Sequence, residues 1–245
     1  MSLPAGFDPT PPRTAKLPAL VADPIHGVLP FDGALNPLTR SNTSHRVSMA
    51  FATPATRGQR KVYHFGSEGE SSVALIALLS PDFHGLEVQL PPFEYRPQGG
   101  EKPRKHFFDL RVTFRDGFRR AIYVKNGKQL RTRKIQDEIK AIFEWIPCEF
   151  ADEAIVVNSD DFTRAYRDNL RRAWYLHQQP DPDADSHVEA IARNFSFWFL
   201  RDLAEKCDLP PAVAWRSAMR LITRGVLGAN WHAVINIHSR VWLNE

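Results

Sequence analysis

Three residues of this 245-residue chain, Glu70, Asp109 and Lys125, have types and settings suited to phosphoryl chemistry. Each is a charged group set against apolar scaffolding. Two carboxylates form a hard oxygen site of the kind that holds Mg²⁺, and a neighbouring ammonium stabilises charge developing on a phosphate. Taken alone, the spacing also fits plainer arrangements. Asp109 and Lys125 would make an ordinary cross-strand ion pair, and Glu70 a helix-start acid favoured by the helix dipole.

The elements that must position these groups follow from pattern. Ala and Leu dominate the run Val73–Leu79, which predicts a buried helix starting near Glu68–Glu70. Leu86–Tyr95 and Lys105–Arg115 read as strands. In the second, Phe108, Leu110, Val112 and Phe114 alternate with Asp109, Arg111 and Thr113, so Asp109 falls on the face opposite the aliphatic stripe. Asp116-Gly117 signals a hairpin, with Arg119–Lys125 returning. If the loop is residues 115–117, Asp109 lies opposite Tyr123 and diagonal to Lys125. A helix at about Ile135–Glu144, a strand at Ala154–Val157 and a helix over roughly Asp160–Gln178 complete this part. An earlier strand is predicted at Lys61–Phe65. Residues 1–45 hold eight of the nineteen prolines and read as an extended arm, wrapped over the body or partly disordered. Residues 179–185 read as a linker. Beyond it, Val188–Lys206 and Pro211–Arg224 look helical, and Asn230–Leu243 forms a small wing or a third helix.

Charge is unevenly distributed. The net of +4 hides fourteen Lys/Arg against five acids between Arg96 and Lys140, a net of +9 that leaves −5 elsewhere. Such a segment is the footprint of a phosphate-tracking surface, or else of a solvated Arg-rich hairpin. Within it, Arg104, Lys105, Arg119, Arg120, Lys128, Arg131 and Arg133 are the candidate DNA-backbone contacts. Two cysteines are too few for a disulfide framework or a four-Cys zinc site, and read as free thiols in a reducing compartment. The sequence has no apolar run of membrane-spanning length and no signal-peptide core, so a cytoplasmic, nucleoid-associated bacterial protein is expected. His64, His84 and His106 have no metal-ligand spacing, and His106 reads as a surface residue. Gly99-Gly100 and Gly225 sit in no phosphate-binding motif. Cys148 and the run Phe195–Leu200 read as core. Gln89 either touches the water network of the carboxylate site or is an ordinary strand residue. Arg216 and Arg220, one turn apart, either face DNA or are solvated.

A resemblance adds specificity. Glu70–Asp82 (ESSVALIALLSPD), Glu87–Tyr95 (EVQLPPFEY), Lys105–Gly117 (KHFFDLRVTFRDG) and Arg119–Lys125 (RRAIYVK) resemble successive motifs of TnsA-like endonucleases. Ala154–Phe162, Asn169-Leu170, and the C-terminal stretches from Leu203 and Leu221 are similar to later parts of that family, so the likeness spans about residues 45–243. The resemblance implies an α/β fold of restriction-endonuclease-like PD-(D/E)XK type, a mixed sheet flanked by helices over residues 46–179. It also implies a small, mostly helical winged-helix-like domain over 180–245. It further implies an Mg²⁺-dependent DNA endonuclease subunit, with Mn²⁺ able to substitute, cutting at transposon 5′ ends beside a TnsB-like DDE transposase. A TnsC-like ATPase regulator would bind the C-terminal domain. Glu70 and Asp109 would be the metal ligands, Lys125 the conserved lysine, and Gln89 and Tyr123 auxiliary. Two positions depart from the pattern. Phe108 replaces the usual Pro, and Tyr123 stands where relatives place Glu or Gln. The second departure opens a rival expectation, a non-catalytic DNA-binding or assembly subunit with a degenerate site. A resolvase or repair nuclease of the same fold is a third.

Overall fold

The computed structural model describes residues 18–39, 45–97 and 102–244. The start of the Pro-rich arm, residues 1–17, and Gly99-Gly100 lie outside the described residues. The chain runs β1 (Val47–Ala52), β2 (Arg60–Phe65), α1 (Glu68–Leu78), β3 (Phe83–Val88), β4 (Phe93–Tyr95), β5 (Arg104–His106), β6 (Leu110–Phe114) and β7 (Arg119–Lys125). It continues through α2 (Gly127–Leu130), α3 (Arg133–Glu144), β8 (Glu153–Asn158), α4 (Arg164–His177), α5 (Pro182–Asn194), α6 (Leu200–Lys206), α7 (Pro211–Thr223), β9 (Leu227–Ala229) and β10 (Val241–Leu243).

A mixed four-stranded sheet in the order β3-β6-β7-β8 organises the α/β part. β3, β6 and β7 are antiparallel neighbours, whereas β8 lies parallel to β7 and is reached through the α2–α3 crossover. Alternation decides what each face buries. Leu110, Val112 and Ile122 face α1, packing with Val73, Leu75 and Leu78. Ala121 and Tyr123 face the other way, against Ala141 and Ile142 of α3. Each fully buried aliphatic or aromatic side chain contributes about 1.5–3 kcal/mol, so the two faces fix the sheet between the helices.

The hairpin has the expected register. Leu110 pairs with Ile122 and Thr113 with Arg119, which carries Asp109 opposite Tyr123. Gly117, at φ 89°, closes the turn in the left-handed region that glycine adopts without strain. Phe108 departs from the expected stripe. The chain kinks between β5 and β6, and Phe108, fully buried, packs with Tyr123, Phe143 and Phe150 on the α3 side. The single strand expected over Leu86–Tyr95 is also broken. Gln89 takes a left-handed conformation (φ 51°), and Pro91-Pro92, unable to extend a ladder, separate β3 from β4.

Residues 18–39 wrap over the body. Leu29 bridges to Lys61, Phe31 packs on the α1-side core, and the Ala34 N–H donates to the Gln89 carbonyl. The linker expected at 179–185 is largely helical, because Asp181 caps α5 and Pro182 occupies its first turn. The helix expected over Val188–Lys206 breaks at Phe195–Phe199. There Phe195, Trp198 and Phe199 are exposed rather than core. Cys148, also expected in the core, is exposed. The tail is a two-stranded β9–β10 hairpin rather than a third helix. α5, α6, α7 and this hairpin share one apolar core, and α4 packs on both α1 and α7. Among the described residues no helix is long and apolar enough to cross a membrane.

Candidate active site

Glu70 reaches the site from the first turn of α1. Ser67 caps that turn, its Oγ accepting from the Glu70 N–H at 3.2 Å and donating to Glu70 Oε1 at 2.9 Å. The other oxygen, Oε2, accepts from the Gly66 N–H at 2.8 Å and from Gln89 Nε2 at 3.1 Å. Glu70 is thus both a helix-start acid and a carboxylate held in one orientation by three donors. Close approach of α1 to the turn after β8 and to β7 needs Gly69, where a Cβ would come within 2.7 Å of the Ser159 side chain and 3.3 Å of Val124. Ser67→Ala is expected to cost about 1 kcal/mol, read as a lowered urea midpoint.

Gln89, which by pattern could be either a site residue or an ordinary strand position, touches the site through this bond to Glu70. Its left-handed backbone is held by its own N–H to the Asp109 carbonyl (2.8 Å) and by Ala34 N–H to its carbonyl (2.8 Å). Non-glycine residues in this region carry roughly 1–3 kcal/mol of strain, and such residues cluster at functional sites.

Asp109 sits immediately before β6, and its Oδ2 accepts from the Val124 N–H at 2.7 Å. Burial, then the neighbouring Glu70 carboxylate, pushes the Asp109 carboxyl up to about 7. Burial likewise raises Glu70, against the pull of its hydrogen bonds and of Lys125 and Arg46. Two desolvated carboxylates that repel one another are an arrangement a cation relieves.

Lys125 ends β7. Among the described residues it forms no ion pair with Asp109, as the plain hairpin reading would have it. Its ammonium instead lies 4.4 Å from the centroid of the Tyr123 ring. Tyr123 is buried, and burial raises its hydroxyl. Its ring meets that of His106 edge-on at 4.5 Å. His106 is buried, not at the surface. Burial first, then Lys125, lowers it to about 4, so it is a neutral imidazole at pH 7. Its Nε2 has no hydrogen-bond partner among the described residues. One side of the site is therefore a buried aromatic wall.

The proposed DNA contacts divide. Lys128, Arg131 and Arg133 follow Lys125 and are exposed, and Arg104 and Lys105 are exposed on β5. Arg119 and Arg120 lie at the far end of β7, roughly 20 Å from Lys125 by strand rise. There Arg119 pairs with Asp152 and Arg120 with Glu153. Arg220 is buried against Asp185, so it does not lie on a solvated helix face, whereas Arg216 is exposed. Sequence reasoning missed the arginines of α4. Arg167 and Arg171 pair with Glu68, two residues before Glu70.

A divalent cation fits the charge of this site, and Glu70 and Asp109 are the side chains that could hold it. Among the described residues no third His, Cys, Asp or Glu joins them, and Mg²⁺ bound by one or two carboxylates ordinarily keeps several waters. No protein-family model matches the chain, and a comparison with curated proteins finds no match.

Proposed function

We propose that the chain is a metal-dependent DNA endonuclease subunit of TnsA type. In this reading residues 46–179 are a PD-(D/E)XK-like nuclease domain and residues 180–245 a winged-helix-like partner-binding domain. The observation that carries the reading is the meeting of Glu70, Asp109 and Lys125 in one half-buried place, with the lysine not engaged in an ion pair among the described residues. The mixed sheet between α1 and α3, and the hairpin after α7, are compatible with the two domains.

Glu70 and Asp109 would hold Mg²⁺ or Mn²⁺, which supplies Lewis-acid polarisation and an activated water for phosphodiester hydrolysis. Gln89 and Ser67 fix the Glu70 carboxylate, and the Val124 N–H fixes Asp109. Lys125 places positive charge beside the carboxylates, where it neutralises a phosphate. The wall formed by Tyr123 and His106 excludes water from one side, which strengthens those interactions. The substrate is transposon-end DNA, and the partners are a TnsB-like DDE transposase and a TnsC-like ATPase.

The test is nicking of transposon-end DNA in Mg²⁺ or Mn²⁺, with the transposase present, by wild type and by Asp109→Ala. A loss of about 10²-fold or more is expected. Equal cleavage by the variant would overturn the assignment.

The meeting of two carboxylates and no third among the described residues, with buried Tyr123 at the third position, favours a second reading. This is a DNA-binding or assembly subunit without cleavage. Calorimetry with Mn²⁺ separates the two, because heat of binding that disappears in Asp109→Ala supports the nuclease.

A further inference from the structure

The charge left outside the basic hairpin region is not spread evenly. α4 alone carries Arg164, Arg167, Arg171 and Arg172 against Asp168. Arg164, Arg167, Arg171 and Tyr175 recur at helical spacing and so form one stripe, about 16 Å long from end to end. That length matches about five base-pair steps of duplex.

Two adjoining clefts open along this stripe and share Arg171. The first, about 360 Å³, lies against the start of α1 and is lined by His45, Glu68, Arg164, Arg167, Asp168 and Arg171. The second, about 330 Å³, adds Arg172, Tyr175, Trp215 and Arg216, where α4 meets α7. Five guanidinium groups face two carboxylates along the pair of clefts.

The acids order the row rather than cancel it. Glu68 holds Arg167 at 3.2 Å and Arg171 at 2.9 Å, and Asp168 holds Arg171 at 3.0 Å. Arg164 and Arg216, at the two ends, have no hydrogen-bond or ion-pair partner among the described residues. Tyr175 stands 61% exposed between them, an aromatic surface in a basic groove. Planar guanidinium groups match the oxygen geometry of phosphate, and pre-ordered ones lose less freedom on binding.

We infer that the exposed face of α4, continued by Arg216 of α7, is a phosphate-binding track that carries the DNA backbone away from the carboxylate site toward the C-terminal helices. This rests on the nuclease reading above, since Glu68, which orders the track on the α4 side of α1, stands two residues before Glu70 of the carboxylate site. The track takes a sugar-phosphate backbone, whose phosphates guanidinium groups contact without regard to base sequence.

The experiment is fluorescence anisotropy of the full chain with a labelled duplex of about 30 base pairs, in EDTA, over a series of salt concentrations. The probe variant is Arg164→Ser with Arg216→Ser, which removes two charges and no structural contact. A charge-matched control is Arg57→Ser with Arg193→Ser, exposed positions outside both the track and the basic segment. The track variant is expected to bind about tenfold more weakly, with a salt slope smaller by about two, and the control to stay near wild type. Wild-type binding that the track variant reproduces overturns this inference alone and leaves the stripe for an acidic protein partner. An equal loss in the control also overturns it, because bulk charge would then account for the effect. Failure of the wild-type chain to bind duplex at all also overturns this inference, whereas the nuclease reading falls only with the cleavage test above.

Discussion

Asp185→Ala is expected to destabilise the protein by about 3–5 kcal/mol, measured by urea unfolding, because it strands a buried cation. Asp185 lies in the first turn of α5, only 5% exposed at its side chain, and Arg220 of α7 meets it at 2.7 Å with 7% exposed. Arg224 reaches the same carboxylate at 2.9 Å from a half-exposed position. Arg220 also donates to Ser217 Oγ (2.9 Å) and to the Gln179 carbonyl (3.3 Å), so the guanidinium is locked in place. Removing the carboxylate leaves Arg220 desolvated without its counter-charge, whereas Arg224→Ala removes only the exposed arm and costs about 1 kcal/mol or less. Similar losses in both variants would mean that the buried pair carries no special weight. The pair ties α5 to α7 and stands beside a cavity of about 440 Å³ where these helices meet the end of α1 and α4.

The same pair shows where sequence pattern stops being informative. The Pro-Asp-Pro-Asp stretch before α5 reads as a linker by composition, although Asp181 followed by Pro182 is also a cap and first-turn signal. Arg220 sits on a helix face that could equally be wet, and its burial is decided by a residue thirty-five positions away. The hairpin is the opposite case. Its register follows from Asp116-Gly117 and local alternation, so Asp109 facing Tyr123 was legible. α1 was legible from its Ala and Leu content, and Glu70 with it. His106 was not, because its neighbours Arg104 and Lys105 make β5 look solvent-facing, while Tyr95, Phe93 and Tyr123 bury the ring from elsewhere in the chain. Gln89 gave no glycine signal for its left-handed backbone. The α4 arginines are not legible as a basic stripe because they lie in the part of the chain whose net charge is negative.

The second large effect is on the pH dependence of the metal-free protein, and it runs opposite to ordinary acid denaturation. The unfolded chain releases the Asp109 proton near 3.8, whereas the folded state, with this carboxyl buried beside Glu70, keeps it until about 7. Between those values the native state binds the extra proton, so this site's contribution to stability falls as pH rises. A difference of about three units corresponds to at most about 4 kcal/mol, and Glu70, raised in the same direction, adds to the same slope. Other groups titrate too, so the informative quantity is the difference between wild type and Asp109→Asn. In EDTA the variant is expected to gain up to about 4 kcal/mol on wild type between pH 4 and pH 8. Parallel stability curves for the two proteins over that range would show that Asp109 does not hold its proton. A bound cation reverses the effect, since it favours the ionised pair. Mn²⁺ at about a hundred times its dissociation constant would restore roughly 2.7 kcal/mol to wild type at pH 8 and little to Asp109→Asn. Stabilisation of both proteins alike would place the cation elsewhere. The cost of holding two carboxylates together without metal is thus the physical counterpart of the affinity that the proposed chemistry requires.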